Sequence, residues 1–489
     1  MAVEQVLVGI DVGTTGVKAI AVSRSGEVVG RAEIGYELQT PRPGWAEQNP
    51  EDWWRASEQA LASLGSQLEE LGGKAAIAGI GLSGQMHGLV CLDEKLEVIR
   101  PAILWNDQRT GEECAEIERT IGLERLIELT GNRALPGFTA PKLLWLRRHE
   151  PDSYARIRHV LLPKGYVRLR LTGEQAIDVA DASGTLLFDV AKRAWSEEVI
   201  QALEIPAEWL PRMFESPQVA GRTKEGVPVA AGAGDQQAGA LGVGVVRPGP
   251  LSVVLGTSGV VFAALDRYVH DREARVHVFC HAVPATWEAM GVMLSAAGSL
   301  RWLRDLLAPG AGYDELTADA ARWQPGVQGL SFLPYLQGER TPHADPHARG
   351  AFTGLSLVHD RGALVRAVLE GVAYGLRDSL ELLRELGVKP ESARASGGGA
   401  RSRLWLEIVA SVLGLPLELT AVEEGAAFGA ALLGGIAAGV FADVEEAVAS
   451  CISIRDRVEP NLDWQETYER GYVRFRALYP ALRPLEEET

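Results

Sequence analysis

Two apolar runs joined by a glycine-rich turn stand near the N-terminus. Residues 6–10 and 17–22 are apolar enough to form buried strands, and the segment Asp11-Val12-Gly13-Thr14-Thr15-Gly16 between them is typical of a tight turn. Ser25-Gly26 predicts a second turn, and Val28-Val29 predicts a further strand. We therefore expect an antiparallel hairpin followed by a third strand.

A helical pattern follows. Asn49-Pro50-Glu51-Asp52 predicts a helix start, because it offers a capping side chain, a proline at the first helical position and acids in the first turn. Apolar residues then recur at helical spacing, Gly72-Gly73 predicts the end of the helix, and residues 75–82 predict another buried strand. Strands that alternate with helices indicate an α/β fold.

The opening pattern occurs again near the middle of the chain. Arg247-Pro248-Gly249-Pro250 looks like a connector, and after it two apolar runs, 251–255 and 260–265, flank Gly256-Thr257-Ser258-Gly259. One such match could arise by chance. Its place at the start of each half predicts two domains of similar build, 1–246 and 247–489, whose hairpin turns face a shared cleft.

Charge narrows the range of partners. Acidic residues outnumber basic ones by 65 to 48, and the formal net charge is −17. Such a surface repels phosphate backbones and anionic lipids, so we expect no nucleic acid and no membrane as a partner. An anionic ligand must then be held locally, by backbone amides or by a metal ion.

Cysteine usage and targeting signals predict a cytoplasmic protein. None of the four cysteines forms a C-x-x-C pair, a pattern typical of reduced thiols in the cytosol. No basic region followed by an apolar core suggests a signal peptide. Two charge-free stretches, 248–265 and 425–442, contain turn glycines or many alanines, so we interpret both as buried core.

The first candidate for chemistry is the turn that begins at Asp11 and ends at Lys18. Its glycines allow backbone N–H groups and the hydroxyls of Thr14 and Thr15 to face phosphate oxygens. A carboxylate at the end of the first strand, Asp11, could hold Mg²⁺ directly or through water. The segment lacks the spacing of a Walker A loop, and a plain hairpin turn is the alternative interpretation.

Asp235 is the candidate general base. The segment from Pro228 to Gly234 predicts a buried strand that ends in glycines, and Asp235 stands where a helix of small residues begins. A carboxylate there lies at a cleft edge and could take a proton from a hydroxyl. The alternative is an aspartate that only caps the helix.

Two further loops could bind ligands. Gly397-Gly398-Gly399 would let a flat ligand or a phosphate chain approach the backbone, unless it is a simple loop. Gln85 and His87, after the strand 75–82, could hydrogen-bond a polyol, although a lone histidine is more often structural. We reject zinc at His277 and His281, which are expected to lie on one face of a strand with Cys280 on the other.

Two longer segments resemble the signatures of the FGGY family of carbohydrate kinases. Residues 137–149, which begin Gly-Phe-Thr-Ala-Pro-Lys, fit the first signature. Residues 350–355 through 367–370 fit the second, except that Ala363 stands where a polar residue is expected. The match runs nearly the whole length and implies two actin-like (ribonuclease H-like) domains with a catalytic cleft between them.

Within the family, the chain most resembles members that phosphorylate the ketopentose D-xylulose. This resemblance rests on the segments 84–88, 102–107, 136–142, 161–164, 189–193, 332–335 and 338–343. It implies that Asp235 is the catalytic base and that Asp11 lies near Mg²⁺. The implied sugar-site residues are Met86, His87, Asn106, Asp107 and Gln236, the last standing where many relatives have Asn. The implied ATP-site residues are Thr14, Thr15, Lys18, Gly256, Thr257, Ser258, Trp302, Gly398 and Gly399.

The expected reaction is ATP + D-xylulose → ADP + D-xylulose 5-phosphate, with ATP and the pentulose as partners; a homodimer is possible. One alternative is another FGGY kinase, for ribulose, gluconate or glycerol, against which Met86-His87 argues. A second alternative is a non-enzymatic, actin-like nucleotide-dependent scaffold. Asp235 and the sugar-site residues argue against that alternative, because a scaffold needs no polyol pocket.

Overall fold

A computed structural model describes residues 5–70 and 76–486, and the helix end predicted at Gly72-Gly73 lies outside these ranges. The strands of the first half are β1 (Gln5–Val12), β2 (Gly16–Ser23), β3 (Val28–Gly35), β4 (Glu47–Gln48), β5 (Ala76–Gly84), β6 (Val90–Leu92), β7 (Ala102–Ile103), β8 (His159–Leu161), β9 (Ala176–Asp178), β10 (Phe188–Asp189), β11 (Ala194–Trp195), β12 (Arg212–Phe214), β13 (Val219–Arg222), β14 (Pro228–Ala230) and β15 (Ala233–Gly234). Those of the second half are β16 (Pro250–Leu255), β17 (Gly259–Leu265), β18 (His277–Cys280), β19 (Trp287–Met293), β20 (Ser331–Leu333), β21 (Ala351–Thr353), β22 (Ser392–Ser396), β23 (Leu417–Thr420) and β24 (Ile454–Val458).

Helices alternate with these strands in both halves. The first nine are α1 (Pro50–Glu70), α2 (Gly111–Ile121), α3 (Leu123–Thr130), α4 (Thr139–His149), α5 (Pro151–Arg156), α6 (Pro163–Thr172), α7 (Val179–Ser183), α8 (Glu197–Ala202) and α9 (Asp235–Gly242). The others are α10 (Ala297–Leu307), α11 (Tyr313–Ala320), α12 (Arg361–Glu385), α13 (Arg403–Leu413), α14 (Gly425–Ala437), α15 (Val444–Cys451) and α16 (Gln465–Glu486). Short 3-10 helices span Ala207–Trp209, Val327–Gly329, Gly398–Arg401 and Leu462–Trp464.

The two large sheets share one strand pattern. In the first, β1 runs antiparallel to β2, β2 antiparallel to β3, β1 parallel to β5 and β5 parallel to β14. In the second, β16 runs antiparallel to β17, β17 antiparallel to β19, β16 parallel to β22 and β22 parallel to β23. The predicted α/β class and the predicted repeat of the opening hairpin are therefore confirmed.

Apolar packing joins the two halves beside the hairpin turns. One core lies between the first sheet and α1, and another between the second sheet and α12. A third core brings Met86 and Phe138 of the first half together with Val260, Phe262 and Phe279 of the second. This shared core sets the distance between the cleft walls.

Helix α14 comes from the second half of the chain but packs on the first sheet. It lies against β1, β5 and α9. A Cβ atom at Gly9 or Gly81 would overlap the carbonyl oxygen of Ala427 or Ala430, so only glycine allows this approach. The helix thus runs backbone to backbone across the sheet.

Both charge-free stretches are core, as predicted. The segment 248–265 forms the hairpin of β16 and β17, and the segment 425–442 contains α14. Within residues 5–70 and 76–486, no helix is long and apolar enough to cross a membrane.

Candidate active site

Asp235 lies in the wall of a cavity of about 440 Å³ between the two sheets. It is the first residue of α9, directly after the glycine end of β15. Burial, and then the charges of Asp11 and Asp181, raise the pKa of Asp235 to about 7. A carboxyl group with this pKa can accept a proton near neutral pH, which is what a general base requires.

Asp11 faces the same cavity from the end of β1. Ser83 donates a hydrogen bond to its Oδ1 at 2.7 Å, and Lys18 stands opposite it in the β1–β2 ladder. Burial raises the pKa of Asp11, and the Ser83 hydroxyl and the Lys18 charge oppose that effect. The hairpin therefore holds this carboxylate in a fixed orientation next to Asp235.

Asp11 and Asp235 fit a magnesium ion that is bound partly by other groups. Mg²⁺ is usually held by one or two carboxylates together with substrate phosphates and water. In the described parts of the chain, no cluster of three or more His, Cys, Asp or Glu residues could hold a metal alone. The donor set therefore suits an ion that enters with a nucleotide.

The first hairpin turn is braced by side chains around it. Thr14 Oγ1 accepts a hydrogen bond from Trp105 Nε1 at 3.0 Å, and its carbonyl accepts one from Gln48 Nε2 at 2.7 Å. Thr15 is exposed at the tip. Lys18 lines the cavity, where its ammonium pairs with Glu424 at 2.6 Å. A phosphate contact by Lys18 would have to compete with that carboxylate.

The second hairpin turn borders a neighbouring cavity of about 510 Å³. Gly256, Thr257, Gly398 and Gly399 line it, and Ser258 lies half-buried in the same turn. Gly398 also lines the cavity that contains Asp235. The fold thus brings both predicted turns and the predicted nucleotide glycines to two adjoining cavities.

Gly397 shows why this loop needs glycine. Its φ is +86°, and a Cβ there would lie 2.8 Å from the carbonyl of Leu255. A side chain would be strained by its backbone angle and would also push the loop away from β16. This close approach keeps Gly398 and Gly399 beside the second turn.

The predicted contact of Trp302 with the nucleotide stays a prediction. Helix α10 does border the 510 Å³ cavity, but through Gly298 and Arg301. Trp302 stacks on Phe332, with ring centroids 6.3 Å apart, and is not among the residues lining either cavity.

Met86 and His87 follow β5 and lie next to the Asp235 strand. A Cβ at Gly234 would come within 2.9 Å of Met86 Sδ, which places Met86 against the residue before Asp235. His87 has φ +66°, and its Nδ1 lies 2.6 Å from the carbonyl oxygen of Gly184. Because a carbonyl only accepts, Nδ1 carries the proton and Nε2 keeps its lone pair. Burial lowers the pKa of His87 to about 3, so the ring is neutral.

The three weaker sugar-site predictions have different outcomes in the structure. Gln236 lines the cavity with Asp235. Asn106 has a buried Oδ1 without a partner among the described residues, so it could accept a ligand hydrogen bond. Asp107 is fully buried, and its oxygens accept hydrogen bonds from Ala46 and Arg109. The structure thus shows that Asp107 holds Ala46 and Arg109, and its contact with sugar stays a prediction.

Sequence reasoning missed a buried ionic cluster behind Asp235. Lys164 pairs with Asp178 and, at 3.1 Å, with Asp181. Burial raises the pKa of Asp181 to about 6, and Asp181 in turn raises the pKa of Asp235. Lys164 stands in one of the resembling segments, 161–164, but no local spacing links it to Asp235.

Comparisons with known proteins match this chain over nearly its full length. Residues 6–242 match the model of the FGGY family of carbohydrate kinases, N-terminal domain, and residues 251–438 match that of the C-terminal domain. A xylulose kinase of Escherichia coli (strain K12) is 42% identical over 98% of this chain and 99% of the relative.

Two solved structures are similar in fold. A xyloylose kinase from Brucella ovis superposes with a TM-score of 0.92 at 42% identity, covering 98% of this chain and 100% of that one. A xylulose kinase from Rhodospirillum rubrum gives 0.91 at 34% identity, covering 99% and 100%.

Proposed function

This chain belongs to the FGGY family of carbohydrate kinases, and we propose that it transfers the γ-phosphate of ATP to D-xylulose, giving ADP and D-xylulose 5-phosphate. The observation that carries the proposal is the position of Asp235. A buried carboxylate with a pKa of about 7 lines a cavity that adjoins the predicted nucleotide glycines. Relatives of matching length and fold at 34–42% identity include xylulose kinases.

Asp235 is proposed to act as the general base. Its carboxylate would accept the proton of the terminal sugar hydroxyl while that oxygen attacks the γ-phosphorus in line. The start of α9 gives the carboxylate a defined direction, and burial keeps its pKa high enough for proton transfer. Met86, pressed against Gly234, would hold the sugar chain on the side of the base.

The ATP phosphates would lie between the two hairpin turns. Backbone N–H groups of residues 13–16 and 256–259 supply local positive potential, which the −17 surface lacks. Asp11 would hold Mg²⁺, directly or through water, and the ion would offset the charge of the β- and γ-phosphates. Gly398 and Gly399 would pass along the adenosine, since they line the second cavity.

Two features of the site argue against the alternative activities. A nucleotide-dependent scaffold needs neither a carboxylate with a pKa near 7 nor a neutral, buried histidine beside it. Kinases for ribulose, gluconate or glycerol differ in the acceptor that they bind. We therefore propose that Met86 and His87, which lie next to the Asp235 strand, contribute to the choice of sugar.

We also propose a cytoplasmic location. All four cysteines are free and buried, as expected for a reducing compartment. The homodimer stays a prediction, which light scattering of the purified protein would test.

A coupled assay that follows ADP release tests the function. Purified protein with ATP and Mg²⁺ should turn over D-xylulose with a higher kcat/KM than D-ribulose, gluconate or glycerol. A higher kcat/KM for one of the other acceptors would make that acceptor the substrate, and the chain would still be an FGGY kinase. Nucleotide binding without turnover of any acceptor would favour the scaffold.

A further inference from the structure

A second buried histidine, from the second half of the chain, lies near the junction of the two halves. His277, on β18, stands opposite Met290 of β19, and Met290 stands opposite Phe262 of β17. Directly opposed residues of an antiparallel pair point to the same side of the sheet. Phe262 lines the cavity that contains Asp235, so His277 lies on the cavity side of this sheet.

The two histidines meet around two phenylalanine rings. His87 lies 4.6 Å from Phe138 and 5.8 Å from Phe279, measured between ring centroids. His277 stacks on Phe279 at 5.7 Å and meets Phe138 at 6.0 Å. The rings fix both imidazoles, one from each half of the chain, at the same end of the cleft.

His277 has a defined tautomer. Its Nδ1 lies 2.8 Å from Asn132 Oδ1. Asn132 uses its Nδ2 to donate to the carbonyls of Thr130 and Val278, so Oδ1 is the acceptor and His277 Nδ1 is the donor. Burial and the nearby charge of Arg340 lower the pKa of His277, so the ring is neutral and its Nε2 carries a lone pair.

The residue after Arg340 is bonded to β19, the strand that pairs with the His277 strand. This residue, Thr341, donates from its backbone N–H to the Val292 carbonyl at 3.0 Å and accepts from the Val292 N–H, also at 3.0 Å. Thr341 Oγ1 also donates to the carbonyl of Arg275, two residues before His277. The Arg340 charge lowers the pKa of both His87 and His277, as expected from a guanidinium close to both rings.

These three side chains have unused hydrogen-bonding capacity. Among residues 5–70 and 76–486, no protein group pairs with the Arg340 guanidinium or with Nε2 of either histidine. His87 and Arg340 keep part of their surface accessible. A buried guanidinium without a partner is costly, so a ligand that accepts its hydrogen bonds would be stabilised there.

We propose that His277 and Arg340, together with His87, bind the part of the ketopentose remote from the hydroxyl that is phosphorylated. The two Nε2 atoms accept hydrogen bonds from sugar hydroxyls, and the guanidinium donates to the keto or hydroxyl oxygens. The contacts support this placement: Met86 lies against Gly234, the residue before Asp235, His87 follows Met86, and both His87 and His277 contact Phe138. The inference rests on the proposed function and adds two sugar contacts from the second half of the chain.

Steady-state kinetics with D-xylulose and ATP as separately varied substrates test it. His277→Phe keeps the ring shape but removes Nε2, and Arg340→Gln removes the charge and most of the donors. Each should raise the KM for D-xylulose by about 10- to 100-fold while the KM for ATP stays within about twofold. Because His277→Phe could disturb folding, His277→Gln, which retains an acceptor, should recover part of the loss.

The exposed neighbours His347 and Arg349 provide matched controls. His347→Phe and Arg349→Gln should leave both KM values unchanged. The inference would be overturned if His277→Phe and Arg340→Gln kept a sugar KM near the wild-type value, or if their KM for ATP rose equally. Either result would leave the proposed function intact. Failure of the wild-type protein to phosphorylate D-xylulose would overturn the proposed function and, with it, the inference.

Discussion

The pKa of Asp235 predicts a specific pH dependence. With a pKa of about 7, the base form makes up about one tenth of the enzyme at pH 6, half at pH 7 and nine tenths at pH 8. The kcat/KM for sugar, which reports the free enzyme, should therefore rise about tenfold between pH 6 and pH 8 and then level off. An aspartate at its ordinary pKa of 3.8 would give a flat profile over this range.

Replacing Asp235 should lower the activity and raise the stability of the protein. Asp235→Asn removes the proton acceptor, so kcat should fall by about 10²- to 10⁴-fold. The rise in the pKa of Asp235 from 3.8 to about 7 means that ionising this carboxyl group costs roughly 4 kcal/mol more in the folded state than in the unfolded state. This group stabilises the fold while protonated, and its contribution is lost as the pH rises through about 7.

The variant should therefore be inactive and more stable at pH 8. We expect its free energy of unfolding to exceed that of the wild type by about 1–3 kcal/mol at pH 8 and to match it at pH 4. Urea denaturation at both pH values and the coupled assay measure the two effects. Glu58→Gln, which removes an exposed carboxylate of α1, is the control and should change neither. A flat wild-type profile from pH 6 to 8, or near-normal turnover by a folded Asp235→Asn protein, would refute the assignment.

Three further outcomes follow from the site. His87→Ala should cost roughly 1–3 kcal/mol in kcat/KM for D-xylulose with little change for ATP, whereas equal losses for both would make His87 structural. Asp11→Asn should raise the Mg²⁺ concentration for half-maximal rate by about 10- to 100-fold. It should also move the acidic limb of the pH profile to lower pH, because the Asp11 charge raises the pKa of Asp235; an unmoved limb would contradict that coupling. Because residues of both halves line one cavity, D-xylulose with a non-hydrolysable ATP analogue should reduce the radius of gyration in small-angle X-ray scattering, and an unchanged radius at constant oligomeric state would favour a preformed cleft.

Local patterns were sufficient to predict the hairpins and the position of Asp235 between a strand and a helix. Apolar runs around G-T-[ST]-G turns predicted β1–β2 and β16–β17, and glycines before Asp235 predicted a strand that ends at a helix start. These features depend on neighbours in sequence, since turns and helix starts are specified by a few adjacent residues.

Contacts between distant segments could not be predicted in this way. Lys18 pairs with Glu424, and Thr341, the residue after Arg340, is bonded to Val292 of β19. Trp302 stacks on Phe332, a contact that no local pattern indicates. Side-chain partners of this kind are set by how the two sheets meet.

The position of α14 has a consequence for how the protein is made. Every strand of the first sheet is complete by residue 234, whereas the helix that covers it ends at Ala437. At ribosomal speeds of about 5–20 residues per second, the sheet waits about 10–40 s for that helix. During this interval the apolar face that includes Leu7, Ile20 and Val22 has no native cover. A chain terminated after the first half would keep that face uncovered, so folding during synthesis places its greatest demand on chaperones until α14 has emerged.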